Sequence, residues 1–181
     1  MIQDALMPPE PLRAQIARSN VALSLATTQG DMPLVMVNRG FQRLTGFDQA
    51  AVIGRNCRLL QDDTTPLHQI AAMSAFLRDD TRDDGRFPVL NRRIDGTGFV
   101  NLVFLSKLRD HEGQIRFVIA SQFDITSARQ AAALAGNDEA LIGMLDTMRQ
   151  TVGQFGLTMT DSAGLIARSI TTLARFAVRD E

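Results

Sequence analysis

The chain has 181 residues, 45% of them hydrophobic, with 19 basic and 20 acidic side chains and a formal net charge of −1. That is enough for one domain with extensions, and the near-neutral balance excludes a broad electrostatic footprint for nucleic acid or an anionic membrane surface. One cysteine excludes an internal disulfide, and one cysteine with two histidines does not assemble a metal site.

The N-terminus, MIQDALMPPEPLRAQ, carries acids and prolines where a secretory signal needs a positive start and an apolar run. No stretch approaches the length of a membrane-spanning helix, so a cytoplasmic soluble protein is expected. Leu12 and Ile16 share one face of a predicted helix from Leu12 to Arg18. Val21–Thr28 and Pro33–Val37 read as strands around a Gln29-Gly30-Asp31 turn. Phe41 to Ile53 is short and helical, broken by Gly46 and Gly54. Pro66 suits the first turn of the next helix, with Thr64 or Thr65 as its cap and Leu67, Ile70, Met73, Phe76 and Leu77 as apolar content. Strands follow at Phe87–Ile94, Phe99–Lys107 and Gln114–Asp124, joined by Gly-containing turns at Asp95-Gly96 and Asp110–Gly113. This order predicts an α+β domain, an antiparallel sheet covered on one face by small helices.

From Ser127 the composition shifts to helix formers. Leu141, Leu145, Met148, Val152 and Phe155 recur at the spacing of a helix packed against a helix, and another helix is predicted after Asp161 or Ser162. The predicted organisation is an N-terminal helical cap (1–20), a core (21–126) and a C-terminal helical extension (127–181). The extension holds no histidine, which excludes a phosphoacceptor helix of the histidine-kinase type within it. Its five arginines face six acids, which argues against a DNA-reading helix pair.

The lone Cys57 lies in GRNCRLLQ, Gly54 to Gln61. A lone intracellular cysteine is most often a small buried hydrophobe. Arg55 and Arg58, if they faced it, would lower the thiol pKa as a peroxide sensor requires. The stretch also resembles the signature of the light-oxygen-voltage (LOV) domains, the flavin-binding blue-light sensors of the PAS superfamily. LVMVNRGFQRLTGFDQAAVIG resembles the family's lead-in to that signature, and VLNRRIDGTGFVNLVFLSKLRDHEGQIRFVIASQFDIT its last three strands. The resemblance covers Val21 to Thr126 and implies a PAS-like five-stranded antiparallel sheet.

It also implies a chemistry. Blue light excites a bound flavin, the Cys57 thiol adds to ring carbon C(4a), and N(5) gains a proton. The acceptor is reactive only when excited, so a buried thiol of unlowered pKa suffices. The absence of Trp and Tyr agrees, because BLUF domains need a tyrosine beside the flavin and photolyase-like proteins use tryptophan relays. Asn91 and Asn101 resemble the amide pair that pins the pyrimidine edge, since an amide offers both donor and acceptor. Asn56 and Gln61 resemble residues along the ribityl chain and ring, and Arg58 the arginine that holds the ribityl phosphate. Gln122 resembles the switch residue, whose amide would rotate once N(5) carries a proton and pass the change to the helical tail.

The sequence departs from the family's pattern at Asp62, where glycine is common, and at Leu59, a frequent phenylalanine. The following helix has no second phosphate-binding arginine before Arg78; His68 is better read as a surface residue. Weaker phosphate holding is therefore expected, with riboflavin or FAD as alternatives, while FMN remains the cofactor that the resemblance implies, and no metal is expected. The resulting expectation is a non-enzymatic photoreceptor of the short LOV type, working as a homodimer on an unknown downstream protein. The alternatives are a PAS-type ligand-binding module and a thiol-redox sensor.

Overall fold

Strands that bury one face alternate apolar and polar residues; those that bury both do not. VALSLATT and FVNLVFLS belong to the second kind, and the architecture shows why. The structure, a computed structural model, describes residues 7–127 together with Gly143, Asp146, Thr147, Arg149, Gln150, Thr151 and Gly153. The elements run α1 (Glu10–Arg18), β1 (Ala22–Thr27), β2 (Leu34–Val37), α2 (Arg39–Thr45), α3 (Gln49–Val52), a 3-10 turn (Cys57–Leu60), α4 (Leu67–Arg78), β3 (Asp84–Arg92), β4 (Gly98–Arg109) and β5 (Ile115–Asp124). The strands form one antiparallel sheet in the order β2-β1-β5-β4-β3. This is the expected α+β class and strand arrangement.

One sheet face carries Leu23 and Leu25 of β1, Leu102, Phe104 and Leu108 of β4, and Phe117 and Ile119 of β5. Leu12 and Ile16 of α1 close over them. The helices thus lie on both faces: α1 covers this one, while α2, α3, the 3-10 turn and α4 stand on the other. The opposite strand parity, including Ser24, Asn101, Val103, Ala120 and Gln122, faces a cavity under α4 and the 3-10 turn. Two layers over one sheet explain the nearly unbroken apolar runs.

Asn38 ties this arrangement together. Its Oδ1 accepts the backbone N–H groups of Phe41, capping α2, and of Leu23 in β1. Its Nδ2 donates to carbonyls of Ile16, Ser19 and Val21, so one buried amide holds α1, β1 and α2. Close packing here also requires Gly40, where a Cβ would stand 2.6 Å from the Val21 carbonyl oxygen. Gly46 ends α2 at φ +77°, a left-handed cap that glycine accepts without strain.

Lys107, buried at 1% exposure, performs a similar task at the far end. Its Nζ donates to the Phe76 and Asp79 carbonyls at 2.9 and 2.7 Å, satisfying the C-terminal end of α4, and sits 4.6 Å from the Phe76 ring centroid.

Three sequence expectations change. The α4 cap is Pro66 itself, with no side-chain cap; Thr65 instead donates to the Leu90 carbonyl and accepts from Asp62 N–H. Leu67 is 82% exposed rather than part of the apolar face. Strand β3 starts at Asp84, earlier than its apolar run, because Asp84–Phe87 pair with Val103–Ser106 of the long β4. The helical reading of 127–181 lies outside the described residues apart from the positions named above, which are helical.

Replacing Asn38 with Ala removes the cap and strands several buried backbone groups, so we expect a loss of about 3 kcal/mol. Urea unfolding followed by circular dichroism measures it; a loss under 1 kcal/mol would show that the bridging bonds contribute little.

Candidate functional site

The turn after α3 brings the cysteine inward. Gly54 adopts φ +81°, and its N–H donates to the Leu34 carbonyl at 2.8 Å, tying the segment to β2. Asn56 then caps the 3-10 turn, its side chain accepting Arg58 N–H at 2.9 Å, while its amide donates to the Asp31 carbonyl. Cys57, the first residue of the turn, faces the sheet across the cavity.

That cavity measures about 550 Å³. Asn56, Cys57, Arg58, Gln61, Asn91, Asn101 and Gln122, scattered over 67 positions of sequence (56 to 122), all line it. Apolar walls come from Leu34, Ile70, Met73, Leu77, Val89, Val103, Leu105, Val118 and Ala120. The volume and the mixture of apolar walls with few polar groups are those of a small-molecule site.

The polar groups form a chain across four strands. Asn101 Nδ2 donates to Asn91 Oδ1 on β3 and to Gln122 Oε1 on β5, each at 2.9 Å. Gln122 Nε2 donates to Ser24 Oγ on β1 at 3.1 Å. Asn101 Oδ1 is buried with no partner among the described residues, an acceptor at the cavity wall. The arrangement suits a planar heteroaromatic ligand whose edge alternates donors and acceptors, sandwiched between apolar walls.

The cysteine is not activated. Burial pushes the Cys57 thiol up to about 11, only partly offset by a hydrogen bond from the Ser24 hydroxyl. The flanking arginines, which a peroxide sensor would need to lower it, are engaged elsewhere: Arg58 pairs with Asp31, and Arg55 Nη1 donates to the Ala51 carbonyl at 3.3 Å. Arg58, half in solvent, marks the charged mouth of the cavity, and Arg78 lines the cavity from the last turn of α4. His68 is exposed and lies outside the lining. Asp62, the departure from the glycine pattern, has a local role. Its carboxylate accepts from the Thr64 hydroxyl and N–H and pairs with Arg92, which lowers its pKa to about 2.

Sequence reading missed Ser24, Asp31 and Arg78. Ser24 was legible only as a small polar residue within an apolar strand, and Asp31 looked like an ordinary turn acid. Arg78 looked too distant, but it shares a helix face with Ile70, Met73, Ser74 and Leu77.

A thiol raised by two pKa units carries about 100-fold less thiolate near neutral pH. Alkylation by iodoacetamide in darkness at pH 8 should accordingly run about 100-fold slower than for the urea-unfolded chain. A rate within fivefold of the unfolded chain would contradict the buried, neutral thiol.

Known proteins are similar to this chain in sequence and fold. A PAS domain family model matches residues 21–127. The blue-light-activated histidine kinase of Rhizobium johnstonii is 30% identical over 142 residues, which cover 77% of this chain and 41% of that protein. A second such kinase, from Erythrobacter litoralis, is 33% identical over 98 residues, 54% of this chain and 28% of its own length. The chain spans less than half the length of these curated relatives. Among solved structures, a Rhodobacter sphaeroides LOV protein superposes with a TM-score of 0.76 at 28% identity, covering 95% of this chain and 98% of that one. The LOV domain of an Erythrobacter litoralis blue-light-activated histidine kinase is covered completely, at 32% identity and TM-score 0.57, by 61% of this chain. These matches place the chain in the LOV group of the PAS domain family, whose members here are blue-light receptors.

Proposed function

We propose that this chain is the light-sensing module of a signalling system, not an enzyme in its own right, and that it holds a flavin in the cavity between the sheet and Cys57. The observation that carries this reading is the convergence of the only cysteine and the three amides Asn91, Asn101 and Gln122 on one cavity. The residues fit a flavin. The buried Asn101 Oδ1 supplies an acceptor for the ring's polar edge, and the amide chain can add donors by rotating.

When bound, a flavin supplies absorption of blue light and a ring carbon that becomes electrophilic on excitation. Cys57 supplies the sulfur that bonds to this carbon, C(4a), and its thiol proton moves to N(5). A neutral thiol serves, because it brings its own proton to the reaction. Gln122 holds its amide against Asn101 and Ser24 before the event and rotates to accept from N(5)–H afterwards, altering the hydrogen bonding of β5. Residues 127–181 follow β5 in the sequence, so we read them as the output, with the apolar faces that the sequence predicts for them forming a homodimer or a contact with a downstream partner. FMN is the flavin we favour. Arg58 supplies one cation at the mouth and Arg78 a second, in place of the arginine absent from the start of α4.

The raised Cys57 pKa argues against the thiol-redox alternative, which needs a thiolate. An absorption spectrum tests the proposal. The purified protein should be yellow, bleach under blue light to a near-ultraviolet form and recover in darkness. Cys57→Ala should keep the pigment and lose the bleach. A colourless protein, or a Cys57→Ala variant that bleaches in the same way, would overturn the reading.

A further inference from the structure

Among the described residues that line the cavity three are charged, and all three are exposed at its mouth. Arg58 comes from the 3-10 turn, Arg78 from the last turn of α4, and Asp31 from the loop between β1 and β2. Asp31 pairs with Arg58, and both side chains are more than half in solvent.

The loop holds this carboxylate in place. The Asp31 backbone carbonyl accepts the Asn56 side-chain amide, and Pro33 forms an antiparallel bridge with Asn56. Leu34 N–H donates to the Arg55 carbonyl at 2.9 Å, so the loop is fastened to the segment that carries Cys57. Gly30 and Met32, on either side of Asp31, adopt φ +56° and +52°, the second a conformation that methionine takes against its preference. An exposed ion pair ordinarily loses much of its strength to the ordering of two mobile chains; here the backbones of both partners are fixed to each other.

We propose that Asp31 is a specificity-determining residue that lowers the site's preference for a phosphorylated flavin over an unphosphorylated one. The inference rests on the flavin reading above. A phosphate monoester carries a charge of about −1.5 to −2 near neutral pH. Two arginines balance such a group, but the Asp31 carboxylate cancels part of their charge. Arg58 also has one planar fork, and donors turned to Asp31 are withheld from a phosphate. Riboflavin has a hydroxyl in place of the phosphate and meets neither the competition nor the repulsion. The apolar walls and the three amides act on the ring, which the two flavins share. Occupancy therefore follows the supply of each flavin more closely than it would beneath unopposed arginines.

Asp31→Asn keeps the size of the side chain and the carbonyl that Asn56 holds, and removes the charge. The whole chain, stripped of flavin, is titrated with FMN or riboflavin at low salt and followed by flavin fluorescence. The variant should bind FMN about three- to fivefold more tightly than the parent, the effect of one exposed charge. Its riboflavin affinity should stay within about 1.5-fold of the parent's. Raising NaCl to about 0.5 M should shrink the FMN gain below about twofold, because the charges are screened. Asp31→Glu retains the charge and should keep the parent's ratio of FMN to riboflavin affinity to within about twofold. An FMN gain below about 1.5-fold, an equal change in riboflavin affinity, a gain that salt leaves intact, or a Glu variant that behaves like Asn would each overturn the proposal. A parent that binds neither flavin would remove the underlying reading, and this proposal with it. That result is distinct from a parent that binds both flavins while its Asp31 variants are indifferent, which overturns this proposal alone.

Discussion

An amide withdrawn from water must find its partners in the protein or in what the protein holds, because an unpaired buried polar group costs about 1–3 kcal/mol. Asn91, Asn101 and Gln122 are buried side by side on three adjacent strands, and that constraint shapes the site. They pair in series along the sheet, and the series ends at the Ser24 hydroxyl. An amide can be reversed without moving its backbone, so such a chain has two self-consistent settings and can change between them when one terminal partner changes. In the proposed function, the partner that changes is the ligand in the cavity that these amides line.

The scaffold keeps these groups in register. Antiparallel pairing places Val103 of β4 opposite Gln122 and Val89 of β3 opposite Asn101, so the amides sit diagonally to one another on the inner face. The outer face is closed by Leu12 and Ile16 of α1, and Asn38 locks that helix to β1 and α2. At the opposite end Lys107 fastens α4 over the cavity by holding its last carbonyls. Each of these devices is a buried polar side chain with its partners supplied, which gives the core a specific geometry as well as hydrophobic stability.

Much of this was legible in the sequence. The succession of strands and helices along the chain, with the helix over 67–78 and the short glycine-broken helices, followed from periodicity and turn residues, and the GRNCRLLQ stretch pointed to the site by resemblance. What was hidden depends on contacts distant in sequence. Nothing local reveals that Asn38 spans from Ile16 to Phe41, or that Lys107 is inside the protein and not on its surface. The cap of α4 was misread because Thr65 found a better partner in β3, the Leu90 carbonyl at 2.8 Å. The buried, unlowered thiol that the resemblance implied is what the structure has, and the alternative of acidification by neighbouring arginines does not hold, because adjacency in sequence does not imply facing and Arg58 turns to Asp31. Ser24 shows the limit most clearly. A serine in an apolar strand is unremarkable until the sheet sets it against the Gln122 amide in the cavity wall.

The account depends on the thiol of Cys57 being present in darkness and consumed by light. Because the chain has one cysteine, its S–H stretching band is assigned without labelling. Infrared spectra of the purified protein, recorded before and after blue illumination, should show that band, then its loss, then its return at the rate of the visible recovery. A band that persists while the visible spectrum bleaches would contradict the account.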